Sequence, residues 1–204
     1  MIKNVIFDLG NVVLQLHFED VIKKYTSDKI AQELLNKAIF CSDEWRQLDA
    51  GYITKQDAIK SMKSNLPVPL HKICDDIMNT WTKGFVINND TIDFIKVIKE
   101  KGFNRYILSN APLEIRPYLE SENLLSLFDG EILSAEYKQE KPLDPIYHTL
   151  FDKYNLVPEE CLFIDDKKEN IDSAIRLGMN GYVFNYNDFD SFKVFIQNKL
   201  NITI

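Results

Sequence analysis

Short apolar runs of strand length recur along this chain, and in its second half they alternate with segments of helical period. In TIDFIKVIKE (residues 91–100), for example, Ile92, Ile95 and Ile98 fall on one helical face. Alternating strands and helices are typical of a parallel sheet covered by helices on both faces. The predicted strands are Val5–Phe7, Tyr106–Leu108, Gly130–Leu133, Leu162–Ile164 and Tyr182–Phe184, and the predicted helices among and after them are Thr91–Glu100, Asp144–Tyr154, Asn170–Leu177 and Asp190–Leu200.

Residues from about Leu16 to Phe85 interrupt this alternation, because they contain several helical patterns and no convincing strand. In the turn AGYIT, Gly51 is a typical helix stop and Thr54 a typical N-cap. The helices predicted in this block are Phe18–Tyr25, Ile30–Phe40, Thr54–Ser64 and Ile73–Trp81. We therefore expect a three-layer α/β core with a mostly parallel sheet (residues 1–15 and 86–204) and a small α-helical cap (residues 16–85) inserted after the first strand.

The composition is that of an ordinary globular protein and narrows the classes of function. The 204 residues suffice for one sizeable domain with a small insertion. A net charge of −7 without any Lys/Arg-rich stripe argues against a nucleic-acid partner. No stretch approaches the ~20 apolar residues of a membrane helix, and the apolar start MIKNVIF is too short for a signal peptide. The wide spacing of Cys41, Cys74 and Cys161 favours reduced, packed thiols, so we expect a cytoplasmic protein. A monomer is the default expectation for a chain of this size.

Chemistry-bearing side chains collect where the predicted strands end, which is where open parallel sheets bind ligands. They are a carboxylate, a hydroxyl and amide pair, a lysine and a carboxylate pair: Asp8, Ser109 and Asn110, Lys141, and Asp165 and Asp166. Carboxylates brought together repel one another, and Mg²⁺, which prefers oxygen ligands and is commonly shared with a substrate phosphate, relieves that repulsion. The hydroxyl, amide and lysine can hold the phosphoryl oxygens while a carboxylate oxygen attacks phosphorus.

The segments FDLGNVV, ILSNA, KP and FIDDKKEN together resemble the four motifs of the haloacid dehalogenase (HAD) superfamily, across nearly the whole chain. The helical insert is similar to the small α-helical cap of that superfamily, whose core is Rossmann-like. The DLGNV form, with AGYIT in the insert, is similar to a subgroup that contains bacterial α-D-glucose-1-phosphate phosphatases. The resemblance implies a Mg²⁺-dependent phosphatase of a small phosphate ester.

Carried over position by position, the resemblance assigns a role to each strand-end residue. Asp8 matches the nucleophile and a metal ligand, and the carbonyl of Gly10 matches a further metal ligand. Ser109 and Asn110 match phosphate and substrate contacts, and Lys141 matches the lysine that stabilises charge. In the acidic pair, Asp166 is expected to bind the metal directly and Asp165 to support it, with Asn170 orienting the pair or the lysine.

Gly10 departs from the pattern of most phosphatases of this superfamily, which carry there a second aspartate as the general acid and base. Such a group is typically worth 10²- to 10⁴-fold in rate. Either a water or another group replaces it, such as His17, Glu19 or Asp20, or the leaving group is acidic enough to need less help, or turnover is slow. The alternatives to a phosphatase are therefore a non-hydrolytic, regulatory protein that binds phosphate esters and a phosphotransferase.

A metal-free dehalogenase is disfavoured, because such enzymes have no use for the pair Asp165 and Asp166. The cap is expected to close over the site, exclude water and contact the leaving group. Among its larger side chains, Trp45 and Arg46 are the first candidates for a substrate wall, ahead of Phe40, Tyr52 and Trp81.

Overall fold

A five-stranded parallel sheet forms the centre of the computed structural model, which describes residues 1–203. The strands of the molecule are β1 (Asn4–Phe7), β2 (Leu14–Leu16), β3 (Phe85–Ile87), β4 (Asn104–Ser109), β5 (Gly130–Leu133), β6 (Cys161–Asp165) and β7 (Asn180–Val183). The sheet runs in the order β5–β4–β1–β6–β7, so the first strand lies in the middle with β4 and β6 on either side. This central place explains why the four residues of β1 are all buried.

Helices occupy both faces of the sheet and fill the insert. Those of the insert are α1 (Phe18–Lys23), α2 (Lys29–Ala38), α3 (Asp43–Asp49), α4 (Lys55–Ser64) and α5 (His71–Met78). Those of the rest of the chain are α6 (Asn89–Glu100), α7 (Arg116–Ser121), α8 (Ser134–Tyr137), α9 (Asp144–Tyr154), α10 (Lys168–Arg176) and α11 (Phe189–Leu200). The α/β fold with a mostly parallel sheet is therefore confirmed.

Alternate side chains of each central strand enter different apolar clusters, which defines the three layers. In β1, Ile6 packs with α9 and α10, whereas Val5 and Phe7 point to the opposite face and pack with α6 and α11. The cluster that contains Val5 and Phe7 continues without a break into the insert, through residues such as Leu35 and Met62. The insert is thus attached to one face of the core by continuous apolar packing.

Two short features were not expected from the sequence. Strands β2 and β3 flank the insert and pair antiparallel, Leu14 with Ile87 and Leu16 with Phe85, although no strand was predicted there. Each has only three residues, which is too short to display a period of two. Helix α3 was missed because it is short and buries only Trp45 and Leu48. The division at residues 15/16 and 85/86 stays a prediction.

Two further expectations concern the cysteines and the length of the helices. Cys74 and Cys161 are buried thiols, and burial raises the pKa of each to about 11, whereas Cys41 is exposed. Within residues 1–203, none of the helices combines the length and the apolar character needed to cross a bilayer.

Asn88 joins the start of α6 to the loop that follows β1. Its side-chain oxygen caps the helix by accepting from the Thr91 amide at 3.3 Å, while its side-chain nitrogen donates to the Val12 carbonyl at 3.0 Å. Its backbone N–H donates to the Val13 carbonyl at 2.9 Å. Since Asn88 is only 4% exposed, water cannot replace these bonds without rearrangement.

We expect Asn88→Ala to lower the free energy of unfolding by about 1–3 kcal/mol, because it removes a helix cap and leaves a buried carbonyl unpaired. Urea unfolding measures this as a lower midpoint with an unchanged slope. The matched control is Asn65→Ala at the exposed end of α4, expected to stay within about 0.5 kcal/mol of wild type. Equal losses at the two positions would contradict the bridging role of Asn88.

Candidate active site

The carboxyl ends of the two central strands bring three carboxylates together. Asp8 directly follows β1, Asp165 is the last residue of β6, and Asp166 follows it. The pairing of Phe7 with Ile164, continued by a 2.9 Å bond from the Asp8 amide to the Ile164 carbonyl, places the strand ends side by side. One oxygen from each of the three carboxylates lies within 4.8 Å of the others, as the sequence predicts.

Lys141 is buried between two of these carboxylates. Its Nζ lies 3.0 Å from Asp8 Oδ1 and 2.6 Å from Asp165 Oδ2, and its side chain is 1% exposed. Burial lowers the pKa of Lys141, but the two carboxylates raise it more, so the ammonium remains charged. Breaking such a buried arrangement by removing one partner typically costs about 3–5 kcal/mol.

Despite this lysine, the surroundings of Asp8 disfavour its ionised form. Burial raises its pKa to about 6, helped by the charges of Asp165 and Asp166, while Lys141 and a hydrogen bond from Ser109 act in the opposite direction. Three carboxylates and one ammonium leave an excess of two negative charges, which a divalent cation would neutralise.

The donor atoms of the site fit Mg²⁺. All are hard oxygens, the class of ligand that Mg²⁺ prefers. Asn170 adds a further oxygen, because its buried side-chain Oδ1 has no hydrogen-bond partner among the described residues and the side chain lines the same cavity. An unpaired buried oxygen beside excess negative charge is expected where a hydrated cation binds.

The two members of the acidic pair differ in how their oxygens are used. Asp165 is fully buried and accepts bonds from Lys141 Nζ, from the Lys167 amide and from the side-chain nitrogen of Asn170. Asp166 is half-buried and accepts a single side-chain bond, at 2.9 Å. The geometry therefore favours Asp166 as the direct metal ligand and Asp165 as its support.

The donor to Asp166 is Asn11, which sequence reasoning missed. Asn11 follows Gly10 with a φ of 55°, a left-handed conformation that asparagine tolerates better than most residues. This turn directs its side-chain nitrogen across to Asp166 Oδ2. The Gly10–Asn11 pair after a strand indicates a turn, but the residue that Asn11 binds, Asp166, lies 155 positions away in the chain.

Ser109 and Asn110 lie beside Asp8, but their side chains are used differently. Ser109 is 2% exposed, lines the cavity and bonds to Asp8. The Asn110 side chain donates to the Lys141 carbonyl at 2.9 Å and accepts from the Lys141 amide at 2.8 Å. These two hydrogen bonds to the backbone fix the lysine in place, so Asn110 positions Lys141 in addition to lining the cavity.

A cavity of about 420 Å³ separates these strand ends from the insert. The residues that line it from the insert include Phe40, Trp45, Arg46 and Trp81, four of the candidates for a substrate wall. Tyr52, the fifth candidate, is 49% exposed and lies outside the lining. At the mouth, Arg46 Nη1 donates to Glu140 Oε1 at 2.6 Å, which links the insert to the core.

The three acids and bases considered as substitutes at Gly10 do not reach the cavity. His17 bonds to Gln15 at 3.2 Å and has a side chain 45% exposed, while Glu19 and Asp20 pair with Lys23 at the surface. At Gly10 itself, an added Cβ would lie 3.2 Å from the side chain of Leu16. Leu16 therefore fills part of the space that a larger residue would need.

Comparison with known proteins points to one family. Residues 2–178 match the sequence profile of a hydrolase family described as haloacid dehalogenase-like hydrolase. The chain is 26% identical over 180 residues (88% of each protein) to the sesquiterpene phosphatase astK of Aspergillus oryzae. It is 23% identical over 203 residues (89% of this chain, 91% of the relative) to the D-ribitol-5-phosphate phosphatase of Bacteroides thetaiotaomicron.

A solved structure supports the same assignment. A HAD family enzyme of Bacteroides thetaiotaomicron, crystallised in complex with magnesium and inorganic phosphate, superposes with a TM-score of 0.70. The match covers 91% of this chain and 96% of that chain at 25% identity. The match therefore includes nearly the whole of this chain.

We expect Mg²⁺ to raise the melting temperature by about 5–10 °C at 100 times its dissociation constant, because it neutralises the repelling carboxylates. Asp166→Asn should remove most of this shift without lowering the melting temperature of the metal-free protein, since it relieves like-charge repulsion. The matched control is Asp172→Asn in α10, a surface residue paired with Lys168. Thermal unfolding with MgCl₂ against KCl of equal ionic strength measures both, and an unchanged shift in Asp166→Asn would overturn this assignment.

Proposed function

The chain belongs to the haloacid dehalogenase-like hydrolase family, and on that premise we propose that it is a Mg²⁺-dependent phosphatase of a small phosphorylated metabolite. The observation that carries the proposal is the placement of Lys141 between Asp8 and Asp165. A buried ammonium bound to two carboxylates serves stability poorly compared with apolar packing, so its presence at the strand ends favours a chemical role.

In this proposal Asp8 is the nucleophile. One of its oxygens, Oδ1, is held by Lys141 Nζ at 3.0 Å and by the Leu9 amide at 2.8 Å. The other oxygen attacks phosphorus and forms an aspartyl-phosphate, which water then hydrolyses. Lys141 and Ser109 hold the phosphoryl oxygens as negative charge builds on them.

The residues that would hold Mg²⁺ are Asp8, Asp166 and the carbonyl of Gly10, with Asp165 holding Lys141 and supporting the acidic pair. The bound ion would neutralise the charge of the substrate phosphate, which otherwise meets three carboxylates. Asn11 holds Asp166 in position for this task through its bond of 2.9 Å.

The substrate is proposed to be a small ester, with sugar phosphates as the first compounds to test. The cavity of about 420 Å³ is of the size that binds metabolites. The insert contributes aromatic rings that can cover the leaving group, notably Phe40 and Trp45, whose centroids lie 4.9 Å apart. Both curated relatives described above are named as phosphatases, which favours hydrolysis of a phosphate ester over dehalogenation.

We expect phosphate release from p-nitrophenyl phosphate with MgCl₂, and its loss on addition of EDTA. Asp8→Asn should lower kcat by about 10⁴-fold or more, because it removes the nucleophile. The control is Asp172→Asn, on the surface of α10, which should retain wild-type kcat. Full activity in Asp8→Asn would exclude the mechanism.

Two other outcomes would replace this function. Binding of Mg²⁺ and phosphate esters without turnover across a broad panel of substrates would indicate a regulatory, non-hydrolytic protein, the alternative that Gly10 supports. Transfer of the phosphoryl group to an added alcohol, faster than to water, would indicate a phosphotransferase.

A further inference from the structure

The proposed phosphatase lacks an obvious proton donor for the leaving group. The position two residues after the nucleophile is Gly10, and neither histidine nor tyrosine is among the described residues that line the cavity. An alkoxide is a poor leaving group unless it is protonated as it departs, so the donor has to come from elsewhere in the cavity.

The geometry of phosphoryl transfer restricts where that donor can lie. The attacking and leaving oxygens are roughly in line with phosphorus. Because Asp8 attacks from the floor of the cavity, at the end of β1, the leaving oxygen points away from the sheet. The donor must therefore lie on the wall formed by the insert.

Four carboxylates line the cavity within the described residues: Asp8, Asp49, Glu140 and Asp166. Asp8 is the nucleophile, and Asp166 lies in the acidic cluster beside it. Glu140 is already paired with the guanidinium of Arg46 at 2.6 Å. Asp49, at the end of α3, is the remaining acid, and it lies on the insert side.

We propose that Asp49 is the general acid that protonates the leaving oxygen, in place of the aspartate absent at Gly10. The inference rests on the proposed phosphatase function and adds to it a catalytic residue on the insert.

Contacts with the core fix the chain around Asp49. The Ser134 hydroxyl donates to the Asp49 carbonyl, and Ser134 also binds the amide of Ala111, next to Asn110. Two residues after Asp49, Gly51 has a φ of 72° and lies so close to Ala135 that an added Cβ would be 2.4 Å from its carbonyl oxygen. The end of α3 is thus attached directly to the core, next to the segment that contains Ser109 and Asn110.

The surroundings of Asp49 favour its protonated form, which a general acid requires. Burial raises its pKa well above the ordinary value, and the charges of Asp8 and Glu140 raise it further. The charge of Lys167, across the cavity in the core, and a hydrogen bond from Trp45, one turn earlier in α3, oppose this shift. Arg46 in the same helix is paired with Asp43 and Glu140.

The proton moves in two balanced steps. As an oxygen of Asp8 bonds to phosphorus and the P–O ester bond breaks, the carboxyl proton of Asp49 passes to the leaving oxygen and releases the alcohol. Water then attacks phosphorus and displaces Asp8 as its carboxylate. The proton that the water loses returns to Asp49, so the enzyme regains its starting state and phosphate leaves.

The test compares two substrates of similar shape whose leaving groups differ in acidity. Phenyl phosphate releases a basic phenolate that needs a proton, whereas p-nitrophenyl phosphate releases one that needs far less help. Asp49→Asn should lower kcat/KM about 10²- to 10⁴-fold for phenyl phosphate but less than about 10-fold for p-nitrophenyl phosphate. Since kcat/KM covers only the steps up to the aspartyl-phosphate, slower hydrolysis of that intermediate does not affect the comparison.

A pH profile gives a second readout. Because the acid must be protonated, wild-type kcat/KM for phenyl phosphate should fall as pH rises through the raised pKa of Asp49, and Asp49→Asn should lack this fall. Asp49→Glu should recover part of the activity on phenyl phosphate. Asp49→Ala, which removes the carboxyl without replacing it, provides the same comparison if the asparagine variant is unstable.

The controls separate this inference from the function on which it rests. Asp76→Asn, in α5 of the same insert and paired with Lys72 at the surface, should leave both substrates unaffected. The Mg²⁺-induced rise in melting temperature should be unchanged in Asp49→Asn. Equal loss on both substrates, or none, would overturn the role of Asp49, whereas an inactive wild type on both substrates would overturn the phosphatase itself.

Discussion

One buried ammonium organises the candidate site. Lys141 joins the end of β1 to the end of β6 by binding Asp8 and Asp165, and without it two buried carboxylates would lose the cation that they share. The structure holds this lysine through its backbone as well, because the Asn110 side chain binds both its amide and its carbonyl. Residues from three separate strand ends are therefore fixed relative to one another before any substrate arrives.

The strand-end residues were predictable because their positions follow from topology. In a parallel sheet the carboxyl ends lie at one edge, so an apolar run followed by a polar residue locates a side chain without knowledge of its partners. Asp8, Ser109 and Asp165 are of this kind. This prediction does not depend on the order of the strands. The observed order places β1 between β4 and β6, so that Asp8 lies between Ser109 and Asp165 as the proposed chemistry requires.

What the sequence did not reveal depends on contacts between distant segments. Asn11 matters through Asp166, and Asp49 through its place on the cavity wall, and neither relation leaves a periodic pattern. The turn AGYIT was recognised as a helix stop, but the acid just before it was overlooked. His17 shows the same dependence on distant contacts. It follows Asp8 closely in the sequence, yet its side chain lies at the surface.

Strands β2 and β3 carry both passages of the chain between core and insert, and they lie next to each other as a paired ribbon. The covalent crossings between core and insert are therefore confined to one edge, while apolar packing and the Arg46–Glu140 ion pair hold the insert to the core at other points. Because the Ser134 hydroxyl also holds the Asp49 carbonyl, the wall of the cavity on which Asp49 lies is fixed relative to the strand ends. A proton donor on the insert and a nucleophile on the sheet would thus face each other across the cavity without any hinge motion.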